Sequence, residues 1–129
     1  MAVGASATVV NALLASITNG TAFTTYTNPY VQLHTGNPGS AGTSNVAGES
    51  TRIQMTGTFI ISGGSTTNPV AVNWTSVSTA ETYTDVSLWS LVSGGTFLAS
   101  GTITANAVAI GDNFSIPIGD LTLSMPVAS

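Results

Sequence analysis

The sequence predicts a mainly β protein, an antiparallel β-sandwich or jelly-roll-like barrel of about eight strands with one short N-terminal helix. Three observations lead there. Short apolar–polar alternations fill the chain from Tyr30 onward, and alternation with period two is the mark of a strand with one face buried. Glycine, proline and asparagine turn signals interrupt them about every 8–12 residues, the spacing of sandwich strands. Only one stretch, ahead of all the strands, carries helical spacing.

That helix is expected over about 6–19, with Ser6 as N-cap and Gly20 as the left-handed stop. Val9, Val10, Leu13, Leu14 and Ile17 recur at spacings of three and four, so they are expected on one side as a stripe that needs a partner. The segment 21–28 reads as an extended linker ending at the Asn28-Pro29 turn. A strand over 30–34 places Val31 and Leu33 on one face and Tyr30, Gln32 and His34 on the other. A glycine-rich loop, about 35–48, follows, shaped by Asn37, Pro38 and Gly39.

Further strands are expected over 49–55 and 58–62. Gly63-Gly64-Ser65 breaks the pattern, and Asn68-Pro69 opens a strand in which Val72 and Trp74 share a face. Tyr83 to Val92 forms a long strand, with Tyr83, Asp85, Ser87 and Trp89 on one side and Val86 and Leu88 on the other. Ser93-Gly94-Gly95 turns it into a return strand over 96–104, a hairpin with a short glycine turn. Phe114, Ile116 and Ile118 alternate in a strand that Pro117 marks as an edge or a bulge. Leu121 to Met125 closes the series.

A chain of 129 residues suits one domain over 1–129. It has no cysteine, which excludes disulfides, thiolate metal sites and a cysteine nucleophile. Charged side chains make up 5% of the chain, against about 25–35% of an ordinary soluble surface. The exterior is therefore mostly Ser, Thr, Asn and Gly, which are cheaper than ions to desolvate against a neighbour. A net charge of −4 with Arg52 as the only cationic side chain argues against nucleic acid and anionic membranes as partners. Residues 1–20 lack the basic start of a signal peptide, and no run reaches the ~18 apolar residues of a membrane span.

Sites of chemistry are few. His34 lies at a strand end beside the glycine-rich loop, but no G-x-S-x-G accompanies it, and a surface or interface histidine is expected. Glu81 and Asp85 are read as solvated positions rather than a glycosidase pair. Asp112 and Asp120 match no calcium-loop pattern and are expected to cap turn amides. Glu49 and Arg52 are close enough to pair. Trp74 and Trp89 are expected in the core rather than on a sugar-stacking platform. No catalytic residue, metal ligand or cofactor is assigned.

The segment Tyr30-Val31-Gln32-Leu33-His34-Thr35-Gly36-Asn37-Pro38-Gly39, the polar loop to Gly48 and the strand entry Ser50-Thr51-Arg52 resemble a family of small tailed-phage virion structural proteins with a V-x-L-H-T-x-x-P-G motif. Val72-Asn73-Trp74, Thr84 to Trp89, Leu98 to Gly101, and the Gly111-Asp112 and Gly119-Asp120 turns are similar to the family's later strands, so the likeness spans almost the whole chain. The aromatic at the strand entry is missing here. The resemblance implies a non-enzymatic virion component on the exterior surface. A capsid decoration protein bound to the major capsid protein is the first expectation, and a tail-fibre or minor tail component bound to tail proteins is the alternative. A carbohydrate-binding adhesive module is a further one. It also implies a homo-oligomer, a trimer among the options. Candidate interface residues are Val9, Leu13, Ile17, His34, Asn37, Pro38, Gly39 and Arg52, and the loop is expected to reach a neighbouring subunit.

Overall fold

The computed structural model describes residues 4–128, so the expected limits at residues 1 and 129 lie outside the described residues. In these residues the chain is mainly β, with ten strands and one helix. They are β1 (Gly4–Ala5), α1 (Ala7–Thr18), β2 (Tyr30–His34), β3 (Ile53–Gln54), β4 (Ile61–Ser62), β5 (Ser65–Thr67), β6 (Val72–Trp74), β7 (Glu81–Trp89), β8 (Phe97–Val108), β9 (Phe114–Ile116) and β10 (Thr122–Ser124). Every strand pairing is antiparallel.

A five-stranded sheet, in the order β1-β8-β7-β2-β3, forms one layer. A three-stranded sheet, β10-β5-β4, and the pair β6-β9 form the other side. One core joins them: Val31, Leu33, Val86, Leu88 and Ala99 from the large sheet meet Val72, Trp74, Phe114 and Ile116, with Leu121, just before β10, and Leu123 within it packed against the cluster. The aromatic centre is tight, Tyr83 lying edge-on to Phe114 at 5.1 Å and Trp74 tilted on it at 5.8 Å. The sheets keep free edges, so the arrangement is a sandwich and not a closed barrel.

The helix starts where expected. Ser6 is its N-cap, and Val9 N–H donates to Ser6 Oγ over 3.3 Å. It ends at Asn19, with Gly20 at φ +66°. The stripe, however, is divided: Val9 is buried and Leu13 half-buried against the sheet, whereas Val10, Leu14 and Ile17 point outward. Positions 9 and 13 centre about 90° away from positions 10, 14 and 17 around the helix, and α1 meets β8 over a narrow contact.

Two strand expectations need correction. The glycines at 63 and 64, read as a break, are the turn of a β4–β5 hairpin, both with positive φ. The segment joining β7 to β8 is longer than a short glycine turn, running from Ser90 to Thr96, which bond to each other through Ser90 N–H and Thr96 O at 3.1 Å. Asn68 does more than open a strand. Its Nδ2 donates to Val70 O at 2.8 Å and Pro117 O at 2.9 Å, and its Oδ1 accepts from Leu121 N–H at 2.9 Å. Buried at 2% exposure, it ties the chain before β6 to the β9–β10 turn.

Candidate functional site

Both faces of β2 are covered, since Val31, Gln32, Leu33 and His34 are all buried. Val31 and Leu33 face the core. On the opposite face, His34 sits across from Asp85, Gln32 from Ser87 and Tyr30 from Trp89. Tyr83 leaves this row. A register shift between Tyr83 and Asp85 breaks the alternation of β7, so Tyr83 enters the core while Asp85 pairs with His34.

What covers the second face is the glycine-rich loop. Its Pro38 is fully buried, and at Gly42, φ +73°, a Cβ would meet the Phe97 ring at 2.5 Å. Asn37 Oδ1 accepts from Gly39 N–H at 2.9 Å, Ser44 N–H reaches Pro38 O at 2.9 Å, and Val46 bridges back to His34. At its far end, the Glu81 carboxylate accepts from Gly48 N–H at 2.9 Å and Glu49 N–H at 3.0 Å. The loop thus folds down on its own sheet instead of projecting. His34, expected at the surface or at an interface, is enclosed at 0% exposure, because Trp89, Phe97 and the imidazole on this face would otherwise meet water.

Under the loop runs a directional polar chain. Ser44 O accepts from His34 Nδ1 at 2.8 Å, so Nδ1 carries the proton and Nε2 is the acceptor for Ser87 Oγ–H at 2.7 Å. Ser87 Oγ in turn accepts from Trp89 Nε1–H at 2.7 Å. Burial pushes the His34 pKa below the ordinary imidazole value, outweighing the Ser44 carbonyl and the Asp85 charge, which raise it. The neutral ring is the form that fits. Arg52 closes the row: its guanidinium lies 4.1 Å from the Trp89 ring centre, and it donates to Gln32 Oε1, Leu91 O and Gly94 O at 3.3, 3.0 and 2.7 Å. All of these partners are neutral, and Glu49, which the sequence placed close enough to pair with it, has its Oε2 accepting from Ser78 Oγ at 3.1 Å instead.

A serine hydroxyl 2.7 Å from an imidazole has the spacing of a nucleophile and its base. Here both residues have 0% exposure, the imidazole's other nitrogen is held by a backbone carbonyl, and the indole N–H occupies the serine oxygen. The arrangement clamps a loop and offers no path to a substrate atom. Asp85 is buried too, its Oδ1 accepting from Thr84 Oγ1 at 2.7 Å. Asp112 Oδ2 accepts from Ala109 N–H at 2.9 Å, the turn-capping role expected of it. Among the described residues no three of His, Cys, Asp and Glu gather in a metal-binding cluster.

Of the candidate interface residues, the fold places Asn37, Pro38 and Gly39 in the loop and His34 beneath it, holds Arg52 at the Trp89 end of the same row, and sets Val9, Leu13 and Ile17 apart on α1. Trp74 and Trp89, at 1% and 7% exposure, are withdrawn from any stacking surface. Ser87 and Asn68 were not singled out as bonding residues from the sequence. Each has one bonding partner two positions away, but the partners that make them ties between distant segments, His34 and Pro117, lie about 50 positions off.

A charge-poor β-sandwich with a sealed polar centre and apolar side chains left at its surface is built to hold contacts, and the comparison with known families gives the class: a phage virion structural protein of tail-fibre-like type. The chain belongs to the family of the podophage GP4 fiber I protein gp80, whose model matches residues 4–124. No curated protein matches the chain.

Proposed function

We propose that the protein is a non-enzymatic fibre component on the exterior of a phage virion, attached to tail proteins, and that it works through binding energy rather than chemistry. The observation that carries this is the family match over residues 4–124 to a fibre protein, which favours the fibre reading over capsid decoration. The sealed His34–Ser87 pair supports a role without catalysis, and an acidic exterior whose single arginine is held against its own chain suits a position away from packaged DNA. Buried Trp74 and Trp89 leave little support for a sugar-stacking adhesive surface.

Location and copy number test this reading. Antibody–gold labelling of virions is expected on the tail, with the protein recovered from detached tails at a few per cent of the major capsid protein. Label spread over the capsid at a copy number near that of the major capsid protein would replace the fibre assignment with decoration.

A further inference from the structure

Where the large sheet and the sheet β10-β5-β4 face each other, their side chains do not meet everywhere. A cavity of about 180 Å³ lies between the layers, with Pro29, Met55 and Leu88 on the large-sheet side and Phe59, Leu121 and Leu123 opposite. No charged residue lines it. Both walls are braced by hydrogen bonds that do not depend on what fills the space. On one side Met55 N–H donates to Pro29 O at 2.9 Å. On the other, Asn68 N–H donates to Leu121 O at 3.1 Å while Leu121 N–H donates to Asn68 Oδ1 at 2.9 Å, and β5 is paired with β10 and β4 on its two edges. The cavity is therefore preformed, as ligand pockets generally are.

The chemistry of the wall names the occupant. The Asn68 amide is committed to Val70 O, Pro117 O and Leu121 N–H. Thr66 Oγ1 donates to Ile60 O at 2.8 Å, and Thr67, the remaining polar residue of the wall, is exposed to solvent. Among the described residues the buried polar side-chain atoms without a partner are Tyr83 Oη and Asp85 Oδ2, and neither residue lines this cavity. A buried water needs two to four polar partners, and here it finds no unpartnered buried atom to bond. Dry apolar cavities of about 150 Å³ take up benzene.

We propose that this cavity is a binding site for a small uncharged hydrocarbon group, a benzene-sized ring or the end of an aliphatic chain of about six carbons. An occupant adds contacts between the two layers and stabilises the folded chain by mass action. Burial of about six carbons, at the usual value per CH₂, corresponds to a dissociation constant of about 0.3 mM. The site is independent of the fibre reading and stands or falls separately from it.

Benzene titrated into the full chain, labelled at its methionine methyl groups, tests the proposal. Met55 lines this cavity, whereas Met125 lines a separate groove with Gly4 and Ala5. The Met55 methyl signal is expected to shift saturably while that of Met125 stays in place. The melting midpoint is expected to rise by about 5 °C at tenfold excess over the dissociation constant. Phenol, the same ring with a hydroxyl that finds no partner there, is expected to bind about tenfold more weakly. Leu121→Phe, which narrows the space, is expected to weaken benzene binding about tenfold or more; the wild-type Met55 signal decides alone if that variant does not fold. An unmoved Met55 signal and midpoint at about 30-fold excess over the expected dissociation constant overturn the site. So do a shift confined to Met125, phenol binding tighter than benzene, or undiminished binding by folded Leu121→Phe. Octyl glucoside below its micelle concentration separates the sources of the hydrocarbon. A Met55 shift with it extends the site to the chain ends of larger amphiphiles, a shift with benzene alone restricts it to free solutes, and both uphold the proposal.

Discussion

His34 is the chain's only histidine, and its burial makes a sharp statement about pH. Its pKa is lowered in the folded state by loss of hydration, so below about 6.5 the unfolded chain binds the proton that the folded chain refuses. Stability from this group is fully present above about pH 6.5 and declines as pH falls towards the folded pKa. Protonation also removes the Nε2 lone pair that accepts from Ser87, with Asp85 and Arg52 the charged groups that weigh on the ring from either side. Melts between pH 7.5 and 5.5 are expected to show a falling midpoint in the wild type and a flat one in His34→Gln; a flat wild-type profile would refute the account. Tyr83 gives the opposite slope at the other end. Burial, aided by Glu81 and Glu49, pushes its pKa up to about 12, so stability is lost as pH rises from about 10. Its hydroxyl is buried without a partner, and Tyr83→Phe is expected to hold or raise stability by up to about 1 kcal/mol at pH 7 and to blunt the alkaline loss. Asn68 is the contrary case, since Asn68→Ala strands the Leu121 amide and the Val70 carbonyl and removes one of the two donors to Pro117 O, which keeps the Asp120 N–H. A cost of about 2–3 kcal/mol in denaturant unfolding is expected.

Among the elements, the loop over the large sheet is held by backbone shape as much as by bonds. Gly42→Ala meets both a positive φ and the Phe97 ring, and is expected to cost about 3 kcal/mol and to open the loop to proteolysis. Gly63→Ala also takes a positive φ, but into open space, and is expected to cost about 1–2 kcal/mol; equal costs would mean that the Phe97 contact is not what fixes the loop. The helix caps, the strands β2 and β9 and the long β7–β8 hairpin were legible because local pattern decides them. The loop's packing was not, since its glycines announce a bend without saying which way it folds. Direction came from His34, Ser87, Trp89 and Phe97, whose need for cover appears only when β2, β7 and β8 lie side by side. The same holds for Tyr83, which a regular strand would place beside Asp85; the register shift that moves it into the core has no local mark. On α1 the pattern located five apolar residues, but two separate faces are what a 12-residue helix resting on a sheet edge produces.

For the whole molecule, the decisive property is how little charge it has to spend on contacts. Arg52 is the only cationic side chain, and it is committed to Gln32, Leu91, Gly94 and Trp89 within its own chain. Side-chain ion pairs between copies therefore have no cation to draw on, and the net charge of −4 on each copy is weakly repulsive. Association of this protein with itself must come from apolar burial and neutral hydrogen bonds. Such contacts respond to salt with the opposite sign from an ion-paired interface, because screening removes the residual repulsion and leaves burial untouched. Excluded salts such as sulfate strengthen burial further. The dissociation constant between copies is accordingly expected to stay level or fall up to about twofold between 50 mM and 500 mM NaCl, and to fall more steeply in ammonium sulfate at equal ionic strength. Sedimentation across that series checks it. Tenfold weakening in NaCl would place a charged group in the contact and refute an association made of apolar burial and neutral hydrogen bonds.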